Sequence, residues 1–405
     1  MTCPLICWAF VLSSFRPFHT IKKYGSAARK TVFTRKLLAI SQFKITVVLI
    51  IGTIVVYRQL QYIDNKNLGF QKDQLIILPI GNTSISEQFQ AFKSELLRHS
   101  GILYAAGSNS IPGEGTMSFA IRPEGVPEEE NWIVHSIRVD DFDFLSTYKM
   151  EMAAGRYFSP EYSTDATNRV VINEMLAKSL GWKDAVGKRL DIEGELENGR
   201  VIGVVKDFHM RSLHHTIEPL LIYFAPHYEN LTLRISRDDI FGTIRFLQNK
   251  WQEFEQRYPF EYHFLDQKLD QLYRSETKLK TIFVIFSTLA IFIACLGLLA
   301  LAAFSAQQRS KEIGIRKVHG ASVLNVTALL SKDFIKLVLL ANLISWPIAW
   351  YVMNKWLQNF AYHIAIGWSI FTLTGSLTLI IAIFTVGTQA IRAANANPVE
   401  ALRYE

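Results

Sequence analysis

The chain has few cysteines, little charge and no recognisable catalytic signature. Its three cysteines are Cys3, Cys7 and Cys295, and none falls between residues 59 and 280. That spacing excludes a disulfide framework and a zinc-type ligand set. Charged residues make up 20% of the 405, against 49% apolar, and the mean hydropathy is +0.15. So apolar a chain is not disordered, and the composition disfavours an ordinary soluble enzyme. HExxH, GxSxG, a Walker A loop and a glycine-rich dinucleotide loop are all missing. The sequence therefore offers no catalytic residues and no cofactor of its own.

What is present is apolar sequence in blocks. Residues 281–304, TIFVIFSTLAIFIACLGLLALAAF, run for 24 residues without a charge. A helix of about 20 apolar residues crosses a bilayer core. Residues 366–391 form a second charge-free run, and residues 337–353 a third, within a span expected at 333–353, with Pro347 as an expected kink. Residues 37–57 form the fourth, with Lys44 near its start, where a long side chain can snorkel to the interface.

Loop charge orients these spans. Residues 1–44 hold eight Lys or Arg and no acid, and residues 305–332 hold five Lys or Arg and one Glu. Both stretches, with the tail 392–405, are expected inside. The block 58–280 and the short loop 354–365 are expected outside; residues 59–280 hold 25 basic and 32 acidic side chains. The sequence pI of about 9.1 thus comes from membrane-flanking residues, and no nucleic-acid partner is needed to explain it. The spans carry no chain of acidic residues, which argues against an ion-coupled pump.

The outer block reads as mixed α/β. Strands are expected at 74–80, 132–139, 200–205, 220–224 and 231–235, and a strand leading into a helix at 168–182. Apolar residues at helical spacing predict helices at 84–98 and 239–258. The order of elements predicts a split βαβ lobe with a second lobe inserted at about 141–218. Leu265, Leu269, Leu272 and Leu279 predict one continuous helix over 265–304, roughly 60 Å long.

Two clusters stand out. Asp207, His209, His214 and His215 lie in DFHMRSLHHTIEP (residues 207–219) and are of metal-ligating type, yet their spacing fits no standard site. The second is the inner loop SAQQRSKEIGIRKVHGAS (residues 305–322). Arg309, Lys311, Glu312, Arg316 and Lys317 surround Ile313 and Ile315, in a short amphipathic helix that Gly320 would cap. Its plain role is a surface linker helped by lipid attraction. Its functional role would be docking to a cytoplasmic protein, with Ile313 and Ile315 as apolar anchors and Gly314 allowing close approach.

At RSKEIGIRKVHGAS the chain resembles the MacB/FtsX-type permeases of ABC transporters. The terminal NPVEALRYE resembles that family's NPxEALR ending. VVINEMLAKSLGW, AVGKRL and GVVKDFH resemble the inserted lobe of its periplasmic domain. The resemblance covers nearly the whole chain, with an FtsX-like permease part at 281–400. It implies a four-span inner-membrane protein with a MacB-like periplasmic core domain. It also implies a separate cytoplasmic ABC ATPase that binds ATP and Mg and docks at the inner loop, and a second permease unit, as a homodimer or a paired half. Two activities follow from it: export by mechanotransmission, or an FtsX-like signalling role that activates an extracytoplasmic cell-wall hydrolase. A ligand-sensing receptor is a third reading, disfavoured because no cytoplasmic output domain is visible. Residues 1–12 and FVLSSFRPFHTI (10–21) resemble the end of an upstream unit, which would make the chain the carboxyl-terminal half of an eight-span member.

Overall fold

The strand LIIL (75–78) is apolar at every position because both of its faces are covered. In the computed structural model Ile76 and Leu78 point to one helical layer, and Leu75 and Ile77 to another. A strand buried on both faces loses the alternation that a half-exposed strand shows. The structure describes residues 26–127, 132–139, 141–225, 228–309, 312–313, 315–316, 319 and 321–395. They divide into two compact units, one of Gln59–Lys278 with Leu357–Ile364, the other of the remaining residues.

The first unit is built on one mixed sheet. Its strands in chain order are β1 (Leu75–Pro79), β2 (Ile102–Ser108), β3 (Met117–Pro123), β4 (Trp132–Val139), β5 (Met152–Gly155), β6 (Arg169–Asn173), β7 (Leu190–Ile192), β8 (Arg200–Val205), β9 (Leu220–Phe224), β10 (Asn230–Ile235) and β11 (His263–Phe264). They lie in the order β11-β1-β10-β2-β4-β9-β6-β8-β5, with β3 pairing to β4 and β7. Both β1 and β2 pair antiparallel with β10, and both β10 and β11 pair antiparallel with β1. Each of these two strand pairs is thus parallel with one strand between, which is the split βαβ expected from the sequence. The parallel pairs β4–β9 and β6–β8 belong to the second lobe. The strands inserted between β2 and β10 extend from β3 to β9, and their core draws on Ile121, Val134 and Tyr223 as well as on residues within 141–218.

Two helical layers cover the first lobe. Short α2 (Ser84–Glu87), α3 (Phe89–Leu96) and α7 (Ile240–Phe254) pack Phe89, Phe92, Leu247 and Trp251 on one face. The helix expected at 84–98 is interrupted at Gln88 (φ −112°, ψ 27°). On the other face lie α4 (Phe144–Tyr148) and α8 (Leu265–Leu272), with Leu265 and Leu269 in the core. The second lobe adds α5 (Asp165–Asn168) and α6 (Glu174–Ser179).

The other unit is helical. Its long helices are α1 (Ser26–Asn65), α9 (Arg274–Gln308), α10 (Val323–Leu357) and α11 (Trp368–Asn395). Among the described residues these four are long and apolar enough to cross a membrane. The continuous helix expected over 265–304 is corrected: Tyr273 (φ −105°, ψ 18°) ends α8 before α9 begins. The Tyr273 hydroxyl accepts the Leu213 amide at 2.7 Å, a tertiary bond that local spacing cannot reveal. The helices meet through Phe43, Leu298, Phe334, Val338 and Val386. Some polar side chains inside the bundle bond to one another across helices. Asn342 donates to Thr378 Oγ1 at 3.1 Å, and the Thr53 and Ser287 hydroxyls are 2.8 Å apart.

Candidate functional site

The loop between α9 and α10 is held by its own hydrogen bonds. The Arg309 amide donates to Ser305 O at 3.1 Å, and its guanidinium reaches Asp333 Oδ2 on α10 at 3.0 Å. A helical turn follows: the Ile313 amide donates to Arg309 O at 2.9 Å, and the His319 amide to Ile315 O at 3.1 Å. Arg316 Nη2 donates to Glu312 Oε1 at 2.7 Å. Exposed pairs of this spacing contribute only about 0.3–0.5 kcal/mol, so the pair orders the turn without dominating it. The Ser322 hydroxyl accepts the Asn325 amide at 3.3 Å, in the position of an amino-terminal cap for α10.

The two isoleucines are not equivalent. Both are expected as docking anchors, and their surroundings within the chain differ. Ile313 is 6% exposed and packs on Leu330, Ala390 and Ala321 of its own chain. This packing ties the described turn to α10 and α11. Ile315 is 48% exposed. Around it Glu312, Arg316 and His319 are also exposed. Lys311, Gly314, Lys317 and Gly320 lie outside the described residues. The described turn has no nucleophile–base pair; it offers one outward apolar side chain within a charged rim.

Asp207 and the three histidines of the outer unit do not converge on one point. Asp207 Oδ1 accepts the Met175 amide at 2.8 Å, in the first turn of α6, and Glu174 Oε2 accepts the Asp207 amide at 3.0 Å. Burial raises the Asp207 carboxyl above its ordinary range. His209 is 5% exposed; burial, then the charge of Lys66, lowers it to about 4, so it is neutral at pH 7. His214 Nδ1 lies 3.0 Å from Asn359 O, and His215 is exposed. No group of three or more His, Cys, Asp or Glu gathers as a metal site among the described residues. Sequence reasoning missed Gln59, Phe360 and Tyr362. Gln59 is fully buried, and a polar residue near the end of an apolar span was the available signal.

The MacB-like periplasmic core domain family matches residues 43–241, and the FtsX-like permease carboxyl-terminal family matches residues 284–398. Together they take in more than three quarters of the chain. No curated protein sequence matches it. Among solved structures, the periplasmic region of MacB from Actinobacillus actinomycetemcomitans aligns at 14% identity, over 51% of this chain and 96% of that one, with a TM-score of 0.37. A domain of a putative permease from Porphyromonas gingivalis aligns at 16% identity over 48% and 90%, TM-score 0.33. The extracellular domain of the ABC-type transporter YknZ from Gram-positive bacteria aligns at 16% identity over 46% and 97%, TM-score 0.32.

Proposed function

The chain belongs to the MacB/FtsX-type family of ABC transporter permeases, multi-pass inner-membrane proteins with an extracytoplasmic domain, and from that premise we propose that it converts ATP-driven motion of a cytoplasmic ATPase into motion of its outer domain. The partner binds ATP and Mg and meets the turn around Ile315. The permease contributes no catalytic group of its own.

The carrying observation is the single helix α9, which runs from Arg274 in the outer unit to Gln308, next to Arg309 of the inner loop. Its 35 residues measure roughly 50 Å at 1.5 Å per residue. A rigid element of that length passes displacement from one end to the other. The bundle core is apolar where α1, α9, α10 and α11 meet. A polar substrate is therefore better served by capture at the outer domain than by passage through this bundle, and export from the outer side of the membrane is the activity we infer. The working unit is this chain with a second permease unit in the bilayer.

The test uses the full chain in lipid nanodiscs with its cognate ATPase. Trapping the ATPase as its ADP–vanadate complex, formed after ATP is cleaved and phosphate leaves, should change amide hydrogen exchange in the outer domain. Identical exchange in the free and trapped states would remove the coupling.

A further inference from the structure

The outer unit includes Leu357–Ile364, the short connection between α10 and α11. The chain therefore passes between the two units at four places: beside Gln59, after Lys278, before Leu357 and after Ile364. Within the outer unit, hydrogen bonds tie these segments to one another. Gln59 Nε2 donates to Tyr362 O at 3.0 Å, and Gln59 Oε1 accepts the Ile364 amide at 2.9 Å. One buried carboxamide on α1 thus holds the connection at two points.

The remaining passage is joined through the histidine segment. His214 stacks on Phe360 with ring centroids 4.2 Å apart, and its Nδ1 lies 3.0 Å from Asn359 O. Its Nε2 lies 3.4 Å from Glu276 Oε1 on α9. The adjacent Leu213 binds both partners: its amide donates to the Tyr273 hydroxyl at 2.7 Å, and its carbonyl accepts the Tyr362 amide at 3.4 Å. The Tyr362 ring stands edge-on to His209 at 5.0 Å, and Lys66 Nζ lies 4.9 Å from its centre. Buried aromatic contacts of this kind add to the area that they remove from water.

We propose that His214 and Tyr362 are positioning residues that fasten the 357–364 connection to segment 207–217 of the outer domain, so that a displacement of the connection is passed to that segment. The idea rests on the coupling reading above and names a second route for it. A connection of eight residues without such bonds would act as a slack tether. Bonded as observed, it is part of the domain.

Hydrogen exchange on the full chain in nanodiscs tests this. In the wild type, amides of 357–364 should exchange at least tenfold more slowly than in the free peptide of the same sequence. His214→Ala and Tyr362→Ala should each remove most of that protection. Tyr362→Phe keeps the ring and should retain it. Exchange in β1 and β10 reports the domain core. Should His214→Ala loosen those strands too, Tyr362→Ala decides, because its half-buried side chain lies at the edge of the domain. Peptide-like exchange of 357–364 in the wild type, or protection unaltered by Tyr362→Ala, overturns the proposal. None of these measurements needs an ATPase, so failure of the junction and failure of coupling are separable. With the ATPase in its ADP–vanadate state, residues 207–218 should respond in the wild type and not in His214→Ala; an equal response in both would show that His214 does not position the segment.

Discussion

His209 meets the ring edge of Tyr362 with centroids 5.0 Å apart, and the pair joins two segments far apart in sequence. The environment that makes this contact also depresses the histidine to about 4, through burial and the nearby charge of Lys66. The unfolded reference is about 6.5. A depressed histidine favours the folded state when neutral. Its contribution is fully present above pH 6.5 and is lost as pH falls through about 4. The difference amounts to on the order of 3 kcal/mol. Protection of segment 207–217 in the full chain should therefore weaken between pH 6.5 and 4, and His209→Phe should flatten that dependence. An equally steep acid loss in His209→Phe would assign it to other groups.

Gly69 supports the same segment. It adopts φ +82°, and a Cβ there would meet Asp207 O at 2.5 Å and Phe208 Cα at 2.6 Å. The neighbouring Leu68 carbonyl accepts the His209 amide at 2.9 Å. The left-handed conformation alone costs a non-glycine residue about 1–2 kcal/mol. Gly69→Ala should lower the melting temperature of the purified protein and speed exchange at the His209 amide. An unchanged melt would mean that the backbone there yields freely.

Lys93 is buried on α3 and places Nζ 2.6 Å from both carboxylate oxygens of Asp141 and 2.7 Å from Asp143. Burial nevertheless holds the Asp141 carboxyl above its usual range. Lys93→Met leaves an uncompensated carboxylate, which should cost roughly 3–5 kcal/mol at pH 7. The loss should shrink as pH falls, because Asp141 then takes up a proton and needs no cation. Resistance of the outer domain to thermolysin at pH 7 and pH 5 measures both effects. A penalty independent of pH would contradict the assignment to charge.

The sequence made the spans legible because lipid demands long charge-free runs, and it made β4 and β8 legible because β-branched residues cluster there, and β9 because it is a short continuous apolar run. Other elements depended on partners remote in sequence. β11 is two residues long and pairs with Ile76 and Ile77, too short to leave a periodicity. Tyr273 breaks the helix where its hydroxyl accepts the Leu213 amide, and Ile313 packs on Leu330 and Ala390; local spacing shows neither partner. In the charged loop both isoleucines looked alike, since spacing alone does not say which face another helix will cover. Gln59 and Tyr362 were invisible as a pair because the contact joins two passages of the chain that only the fold brings together.

Topology follows from loop charge and has a direct check. With Cys3, Cys7 and Cys295 replaced, a cysteine at exposed Ser163 should react with a membrane-impermeant thiol reagent in intact spheroplasts. One at exposed His319 should react only after permeabilisation. The reverse pattern would invert the orientation and with it the side on which an ATPase could bind.

The central claim is that the turn around Ile315 meets the ATPase. Ile315→Asp removes an exposed apolar contact without disturbing the chain's own packing, whereas Ile313→Asp strikes the buried contact with Leu330 and Ala390. Burial of one such side chain is worth about 1.5–3 kcal/mol, so Ile315→Asp should weaken docking roughly ten- to a hundredfold while outer-domain exchange stays unchanged. The measurement is co-purification of the cognate ATPase with the nanodisc-embedded permease, together with its stimulated ATP hydrolysis, for wild type and Ile315→Asp. Loss of both in the variant is the predicted result; undiminished binding and stimulation would contradict the account.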